Sequence, residues 1–301
     1  MLIQNHKYKT DGEIRDIIAA SESRYDAEIM RAAEAAHSHP ELRFVMLSGP
    51  TCSGKTTTAS RLIDAFSKYG RRVVVVSIDD FYRDNDGDRT IDEDQTVDYE
   101  SADAIDLEYF DKCTDLIEKG LPCSLPKFDF LTGRRSQYVH YVPHEEDIVL
   151  FEGIQGIYPE IVSLIPADKL ERIYISVGED ATVSGEHFEK REIRLIRRLV
   201  RDYHYRGSEP DFTLYLWREV VANEDKNILP REDSVPFKIN SLLSYELNMI
   251  KDQFLTVASH AKKEETKAIL DPIAEKMRRI PSLDISYLLH RSVFNEFIKR
   301  D

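Results

Sequence analysis

The sequence predicts an α/β fold in which a parallel sheet carries helices on both of its faces. Three short apolar runs support this prediction, and we interpret each as a buried strand. They are residues 43–48, 73–78 and 147–152. Their apolar residues do not alternate with polar ones, as expected for strands that are covered on both faces. The first run leads directly into a helical pattern, which is the arrangement of an open parallel α/β sheet.

The turn between the first predicted strand and its helix matches the pattern G-x-x-x-x-G-K-[ST]. It consists of Gly49, Pro50, Thr51, Cys52, Ser53, Gly54, Lys55 and Thr56, followed by Thr57. The glycines allow backbone N–H groups to point at phosphate oxygens, and the helix N-terminus adds positive charge. In this pattern Lys55 reaches the β- and γ-phosphates, and the hydroxyl of Thr56 binds Mg²⁺. We therefore predict a P-loop NTPase-type fold that binds a nucleoside triphosphate; a chance match in a glycine turn is the weaker alternative.

Two acidic residues stand where predicted strands end. In an open parallel sheet, ligands bind at the carboxyl ends of the strands, so we expect a functional role for Asp79. Its neighbour Asp80 is expected only to cap a turn. Glu152 ends an apolar run in the way of a Walker-B acid, which holds magnesium beside the phosphate loop. The predicted metal-binding residues are Thr56, Glu152 and Asp79.

The chain is acidic, with 41 Lys and Arg against 55 Asp and Glu, a net charge of −14. Such a protein would repel a nucleic-acid backbone, so we expect no nucleic-acid partner. An anionic ligand would need a local concentration of positive charge, and one occurs within residues 191–206. Four of its arginines share one helical face, namely Arg194, Arg197, Arg198 and Arg201. We interpret this segment as an arginine-rich lid that closes over phosphates; a solvated helix face is the alternative.

The chain divides into two predicted parts. Residues 1–41 form an N-terminal helical extension, with helix from Asp11 onward and a second helix that Pro40 ends. We expect it to pack on the core, with partner binding as the alternative. Residues 42–301 form one P-loop domain with a helical C-terminal extension. Its later part contains predicted helices at 212–221, 245–260 and 265–277 and a strand at 236–240.

Three cysteines, Cys52, Cys113 and Cys123, form no metal-ligand spacing and are expected to be reduced thiols. The N-terminus has no apolar region of a signal peptide, and no stretch approaches 18 uncharged apolar residues. We therefore expect a cytoplasmic protein with no membrane partner. The sequence is compatible with a homo-oligomer.

Five stretches together resemble the uridine kinase family of P-loop nucleoside kinases, within the uridine kinase/phosphoribulokinase group. They are residues 49–57, 77–82, 128–135, 149–154 and 197–207. The resemblance implies transfer of the γ-phosphate of ATP, with Mg²⁺, to the 5′-hydroxyl of uridine or cytidine. ATP and a nucleoside are therefore the expected partners. A P-loop kinase of another small alcohol, of the sugar phosphate or pantothenate type, and a nucleotide-dependent regulatory switch remain alternatives.

The resemblance also implies roles for individual residues. Asp79 matches the general base of the family, and Lys55, Arg197 and Arg201 match further catalytic positions. Beside the phosphate loop, Arg198 and Arg206 match arginines that contact ATP. The nucleoside-binding set comprises Asp79, Tyr82, Phe128, Phe130 and Arg135, with either Asp98 or Glu100 binding the ribose.

Two positions depart from the families with the tightest pyrimidine recognition. Those families have a His where this chain has Gly133 and a Tyr where it has Phe128. Two hydrogen bonds to the base are therefore missing, and a buried polar edge without partners reduces discrimination. The preferred base stays open.

Overall fold

The structure, a computed structural model, describes residues 2–4, 10–84 and 101–300. The strands within these residues are β1 (Leu2–Gln4), β2 (Phe44–Ser48), β3 (Arg72–Ser77), β4 (Cys123–Asp129), β5 (Arg134–Tyr141), β6 (Asp147–Glu152), β7 (Leu170–Ser176), β8 (Ala181–Val183), β9 (Glu186–Phe188) and β10 (Phe237–Asn240). The α-helices are α1 (Asp11–His37), α2 (Lys55–Ser67), α3 (Leu107–Glu118), α4 (Pro159–Val162), α5 (Lys190–Arg206), α6 (Pro210–Asn223), α7 (Glu246–Ala258) and α8 (Glu264–Arg279). Two 3-10 segments, Ile78–Phe81 and Val293–Glu296, also contribute to the site described below.

The central sheet has five strands, all parallel, in the order β10–β7–β2–β6–β3. The middle strand β2 shows how both faces are covered. Val45 and Leu47 point into one hydrophobic core, which they share with buried residues of α1, α2, α5 and α7. Phe44 and Met46 point into a second core on the opposite face, which includes buried residues of α3. The predicted α/β fold is therefore confirmed, and the lack of alternation in the strands reflects burial on both faces.

The register of the sheet brings three predicted functional segments to one edge. Glu152 at the end of β6 lies opposite Leu47 of β2 and Ser77 of β3. The phosphate loop continues from the end of β2, and the 3-10 segment Ile78–Phe81 continues from the end of β3. The loop, Glu152 and Asp79 consequently lie side by side at the carboxyl ends of parallel strands, where ligands bind in this class of fold.

The N-terminal segment differs from the prediction of two helices. Residues 11–37 form the single helix α1, whose first turn is closed by a capping box between Thr10 and Glu13. The helix is continuous because its interior contains neither proline nor a glycine beyond the first turn. Tyr25 is fully buried, and its hydroxyl lies 2.5 Å from Thr58 Oγ1 of α2. The expected packing of this segment on the core is confirmed; the domain division at residue 41 stays a prediction.

The helices predicted at 212–221, 245–260 and 265–277 and the strand predicted at 236–240 are present as α6, α7, α8 and β10. The helix α3 begins at Leu107, because Asp106 caps it by accepting a hydrogen bond from the Tyr109 N–H at 3.1 Å. The segment after α3 forms the hairpin β4–β5, whose turn contains Gly133 at φ +65°. A side chain at this position would be strained, which explains the glycine. The small sheet of β1, β8 and β9 was not predicted.

In the described part of the chain, every helix is either too short or too polar to cross a membrane.

Candidate active site at the carboxyl ends of the strands

The phosphate loop, residues 49–56, joins β2 to α2 and depends on glycine at two places. A Cβ on Gly49 would lie 2.1 Å from the carbonyl oxygen of Ile175, so only glycine fits there. Gly54 is the N-cap of α2 and has φ +94°, which favours glycine. Because Gly54 carries no side chain, it leaves the first-turn N–H groups of α2 uncapped. The helix N-terminus can therefore bind an anion.

Lys55 extends along this loop. Its Nζ donates hydrogen bonds to the carbonyl oxygens of Gly49 at 2.9 Å and Pro50 at 3.1 Å. Its charge acts on both strand-end carboxylates, where it opposes the rise of the pKa that burial causes in Asp79 and Glu152. Lys55 thus lies between the loop and the two acids. This position suits a side chain that contacts the oxygens of a phosphate bound in the loop. The next side chain, Thr56, is exposed.

Asp79 lies in the 3-10 segment after β3, at the centre of the site. Burial raises its pKa, while the charge of Lys55 and a hydrogen bond from Tyr82 oppose the rise. The Tyr82 hydroxyl donates to Asp79 Oδ1 at 3.3 Å and accepts from Gln155 Nε2 at 2.8 Å. Gln155 was missed by sequence reasoning, since only its position just beyond Glu152 could have indicated it. The chain of three side chains fixes the orientation of the Asp79 carboxylate.

Glu152 fits a magnesium ligand by its chemistry and surroundings. Burial raises the pKa of Glu152. The charge of Lys55 partly offsets this rise, and the charge of Asp79 adds to it. Within residues 10–84 and 101–300, its carboxylate forms no hydrogen bond. A half-buried carboxylate without a hydrogen bond is costly unless a cation or a proton neutralises it.

Three or more His, Cys, Asp or Glu side chains do not converge anywhere in the described residues to form a metal cluster. Magnesium is nevertheless compatible with this site, because it is commonly held by one or two carboxylates together with substrate phosphates and water. Glu152 and Thr56, with Asp79 close by, provide such a partial set.

Three aromatic side chains lie on the other side of Asp79. The rings of Tyr82, Phe128 and Phe130 pack edge to face, with centroids 5.2–6.0 Å apart. Phe130 is 60 % exposed and forms the open side of this group. Asp80 does more than cap a turn: it accepts hydrogen bonds from the Phe128 N–H at 3.2 Å and from Lys127 Nζ at 2.5 Å. It thereby fastens the hairpin to the end of β3.

Arg135 lies beside the turn of the hairpin, opposite Phe128 of β4. Its NH1 is 2.9 Å from Asp106 Oδ2, and its guanidinium lies over the ring of Tyr109. Its backbone N–H donates to Asp84 Oδ1 at 2.7 Å. The guanidinium is therefore already engaged in an ion pair. Asp98 and Glu100, the candidates for ribose binding, lie outside the described residues.

Two of the arginines of α5 donate hydrogen bonds to the backbone of the phosphate loop. Arg197 is 1 % exposed, forms a two-bond ion pair with Glu246, and donates from NH1 to the carbonyl oxygen of Cys52 at 3.1 Å. Arg194 pairs in the same way with Glu224 and donates to the carbonyl oxygen of Thr51 at 3.3 Å. The solvated-face alternative does not apply to them, because both are buried and paired. In this arrangement they support the loop backbone.

Three further arginines of α5 share one carboxylate. Arg198, Arg201 and Arg206 lie 3.3, 2.7 and 3.6 Å from the Asp202 side chain. The side chain of Arg206 is 59 % exposed, whereas those of Arg198 and Arg201 are largely buried. The helix then ends at Gly207, which has φ +65°. Closure of these arginines over phosphates remains a prediction.

Comparison with known proteins places these features in context. The sequence model of the "Phosphoribulokinase / Uridine kinase family" matches residues 44–244, more than half of the chain. The chloroplastic uridine/cytidine kinase of Arabidopsis thaliana is 29% identical over 193 residues, which cover 64% of this chain and 36% of that protein. The uridine kinase of Lactobacillus helveticus is 28% identical over 166 residues, which cover 55% of this chain and 70% of that protein.

The chain spans about a third of the length of the first curated relatives that it matches, with 36%, 36% and 32% covered. Among solved structures, a possible uridine kinase from Bacillus stearothermophilus is 18% identical and overlays with a TM-score of 0.39. That overlay covers 49% of this chain and 79% of the other.

Proposed function

The chain belongs to the phosphoribulokinase/uridine kinase family, and from this premise we propose that it is an ATP-dependent nucleoside kinase. It transfers the γ-phosphate of ATP to the 5′-hydroxyl of uridine or cytidine. The relatives named above are kinases of these nucleosides, at 28% and 29% identity.

One observation carries the proposal: a carboxylate stands next to the phosphate loop and faces an aromatic group. The carboxylate of Asp79 interacts electrostatically with the Lys55 ammonium and accepts a hydrogen bond from the Tyr82 hydroxyl. Such a placement suits an alcohol as the acceptor, because a carboxylate in this position can accept the proton of its hydroxyl group. The aromatic rings of Tyr82, Phe128 and Phe130 offer a surface for the flat base of a nucleoside.

Each residue then has a defined part in the transfer. The N–H groups at the start of α2 and the Lys55 ammonium bind the phosphates and hold the γ-phosphate in place. Magnesium, when bound, neutralises charge on the phosphate oxygens, and Thr56 and Glu152 would hold it. Asp79 accepts the hydroxyl proton of the acceptor, and Gln155 through Tyr82 keeps this carboxylate in position. Arg201 and Arg206 can exchange Asp202 for phosphate oxygens.

The test is a panel of acceptors, read by ADP release and by product mass. It comprises uridine, cytidine, purine nucleosides and small alcohols such as phosphorylated sugars and pantothenate, each with ATP and with GTP. We expect activity with a pyrimidine nucleoside and ATP.

Activity restricted to a non-nucleoside alcohol would contradict the nucleoside assignment and favour the small-alcohol kinase. Slow ATP hydrolysis without any acceptor would favour a nucleotide-dependent switch instead.

A further inference from the structure

The segment Val293–Glu296 lies against the phosphate loop, although it is far outside the family match at residues 44–244. A Cβ on Gly54 would lie 2.6 Å from Val293 Cγ2, so the two are in direct contact. Phe297, the next residue, lies under the guanidinium of Arg197 at 4.7 Å. The C-terminal part of the chain thus forms one wall of the loop.

Glu296 places a negative charge at the N-terminus of α2. Its Oε2 accepts a hydrogen bond from Thr57 Oγ1 at 2.9 Å. Thr57 is the third residue of α2, within the first turn, where the helix attracts anions. Burial is the main cause of the raised pKa of Glu152, and the charges of Asp79 and Glu296 add to it. The carboxylate of Glu296 therefore interacts electrostatically with the site.

The backbone of this segment is firmly held. The apolar side chains of this segment and of the two residues after it, Val293, Phe294, Phe297 and Ile298, are at most 1 % exposed. The Tyr205 hydroxyl donates to the carbonyl oxygen of Ile298 at 3.0 Å. A motion of the whole segment would expose these residues at a large cost. The side chain of Glu296, which is partly exposed, can move by rotation alone.

We propose that the Glu296 carboxylate occupies the place of a nucleotide phosphate beside Thr57, and that an incoming nucleoside triphosphate must displace it. The proposal rests on the proposed function only in that the loop binds a nucleotide. Phosphate and carboxylate are both negatively charged and compete for the same helix N-terminus. Glu296 therefore weakens nucleotide binding and sets the affinity of the loop.

The experiment is isothermal titration calorimetry of MgATP without acceptor, on the wild-type chain and on Glu296→Gln. Glutamine keeps an oxygen that can accept the Thr57 hydrogen bond but lacks the charge, so the fold should be retained. We expect Glu296→Gln to bind MgATP about tenfold more tightly. The difference should shrink in high salt, because screening weakens the repulsion between charges.

A matched control is Glu264→Gln, which removes an exposed carboxylate on α8 that pairs only with Lys267 among the described residues. It should bind MgATP as the wild type does. Glu296→Asp, which keeps the charge, should stay close to the wild type.

Equal affinity of the wild type and Glu296→Gln would overturn the proposal. Weaker binding by Glu296→Gln would overturn it too, and would make Glu296 a direct contact of the nucleotide. Because the readout is nucleotide binding alone, it is independent of which acceptor is phosphorylated. A failed acceptor panel would count against the proposed function and leave the role of Glu296 to be decided by this measurement.

Discussion

The strand β6 begins and ends with an acidic residue, and the two carboxylates have opposite surroundings. At the amino end, Asp147 accepts hydrogen bonds from Arg72 at 2.6 and 2.7 Å, from the Tyr141 hydroxyl at 2.7 Å and from the His144 N–H at 3.0 Å. Burial alone would raise its pKa, but these bonds prevail and lower the pKa to about 2. At the carboxyl end, burial prevails and the pKa of Glu152 is raised.

The difference separates a structural acid from one that is available to a ligand. Asp147 is fully buried, and its four hydrogen bonds stabilise its charged form within the protein. Glu152 and its neighbour Asp79 lack comparable partners among the described residues and lie where parallel sheets bind ligands. Raised carboxylate pKa values beside a phosphate loop are the pattern of a functional site.

The largest effect is expected from Asp79→Asn. The amide is nearly the same size but cannot accept the proton of the acceptor hydroxyl, so kcat should fall about 10³-fold. Binding of MgATP should remain, because the phosphate loop is unchanged. Steady-state kinetics with the preferred acceptor and calorimetry with MgATP measure the two quantities.

The control for this variant is Asp64→Asn, which changes an exposed carboxylate on α2 and should leave kcat unchanged. Retained turnover in Asp79→Asn would remove Asp79 from the role of base.

A smaller loss is expected from Glu152→Gln. Replacing the charged ligand with an amide weakens the hold on magnesium, so kcat/KM should fall about a hundredfold, equivalent to about 3 kcal/mol. Higher Mg²⁺ should restore part of the activity, which a titration of rate against Mg²⁺ concentration would measure. Thermal stability should not decrease, because a neutral side chain is cheaper to bury than a carboxylate without hydrogen bonds.

Glu160→Gln on α4 is the matched control, since Glu160 is exposed. An unchanged Mg²⁺ dependence in Glu152→Gln would argue that magnesium is held elsewhere.

The elements at the carboxyl edge of the sheet could be predicted because their signals are local. The loop follows a fixed spacing of Gly49, Gly54 and Lys55, and β3 and β6 are continuous apolar runs. An acid at the end of such a run must lie where the parallel strands end, on the same side of the sheet as the loop. The positions of Asp79 and Glu152 next to the loop could therefore be predicted.

What could not be predicted depends on contacts between distant parts of the chain. The helical period placed Arg194 and Arg197 on one face, but their partners Glu224 and Glu246 come from later segments. Without these partners, the buried ion pairs could not be distinguished from an open lid. Glu296 meets Thr57 across 239 positions and carries no motif of its own.

The smallest expected effect concerns the amino end of β6 and tests its structural role through pH. Since the pKa of Asp147 in the folded protein is about 2, below the ordinary value of an aspartate, its charged form stabilises the fold. This contribution is fully present above about pH 4 and is lost as the pH falls towards 2, amounting to about 2 kcal/mol. Asp147→Asn lacks the titrating group. Its free energy of unfolding should therefore be lower at neutral pH but should fall less on acidification, by about this amount. Urea unfolding at a series of pH values measures both curves.

The control is Asp115→Asn, which removes an exposed partner of Lys119. It should follow the wild type, since exposed pairs contribute little. Parallel curves for the wild type and Asp147→Asn would mean that Asp147 titrates alike in the folded and unfolded chains, and the contrast between the two ends of β6 would then be lost.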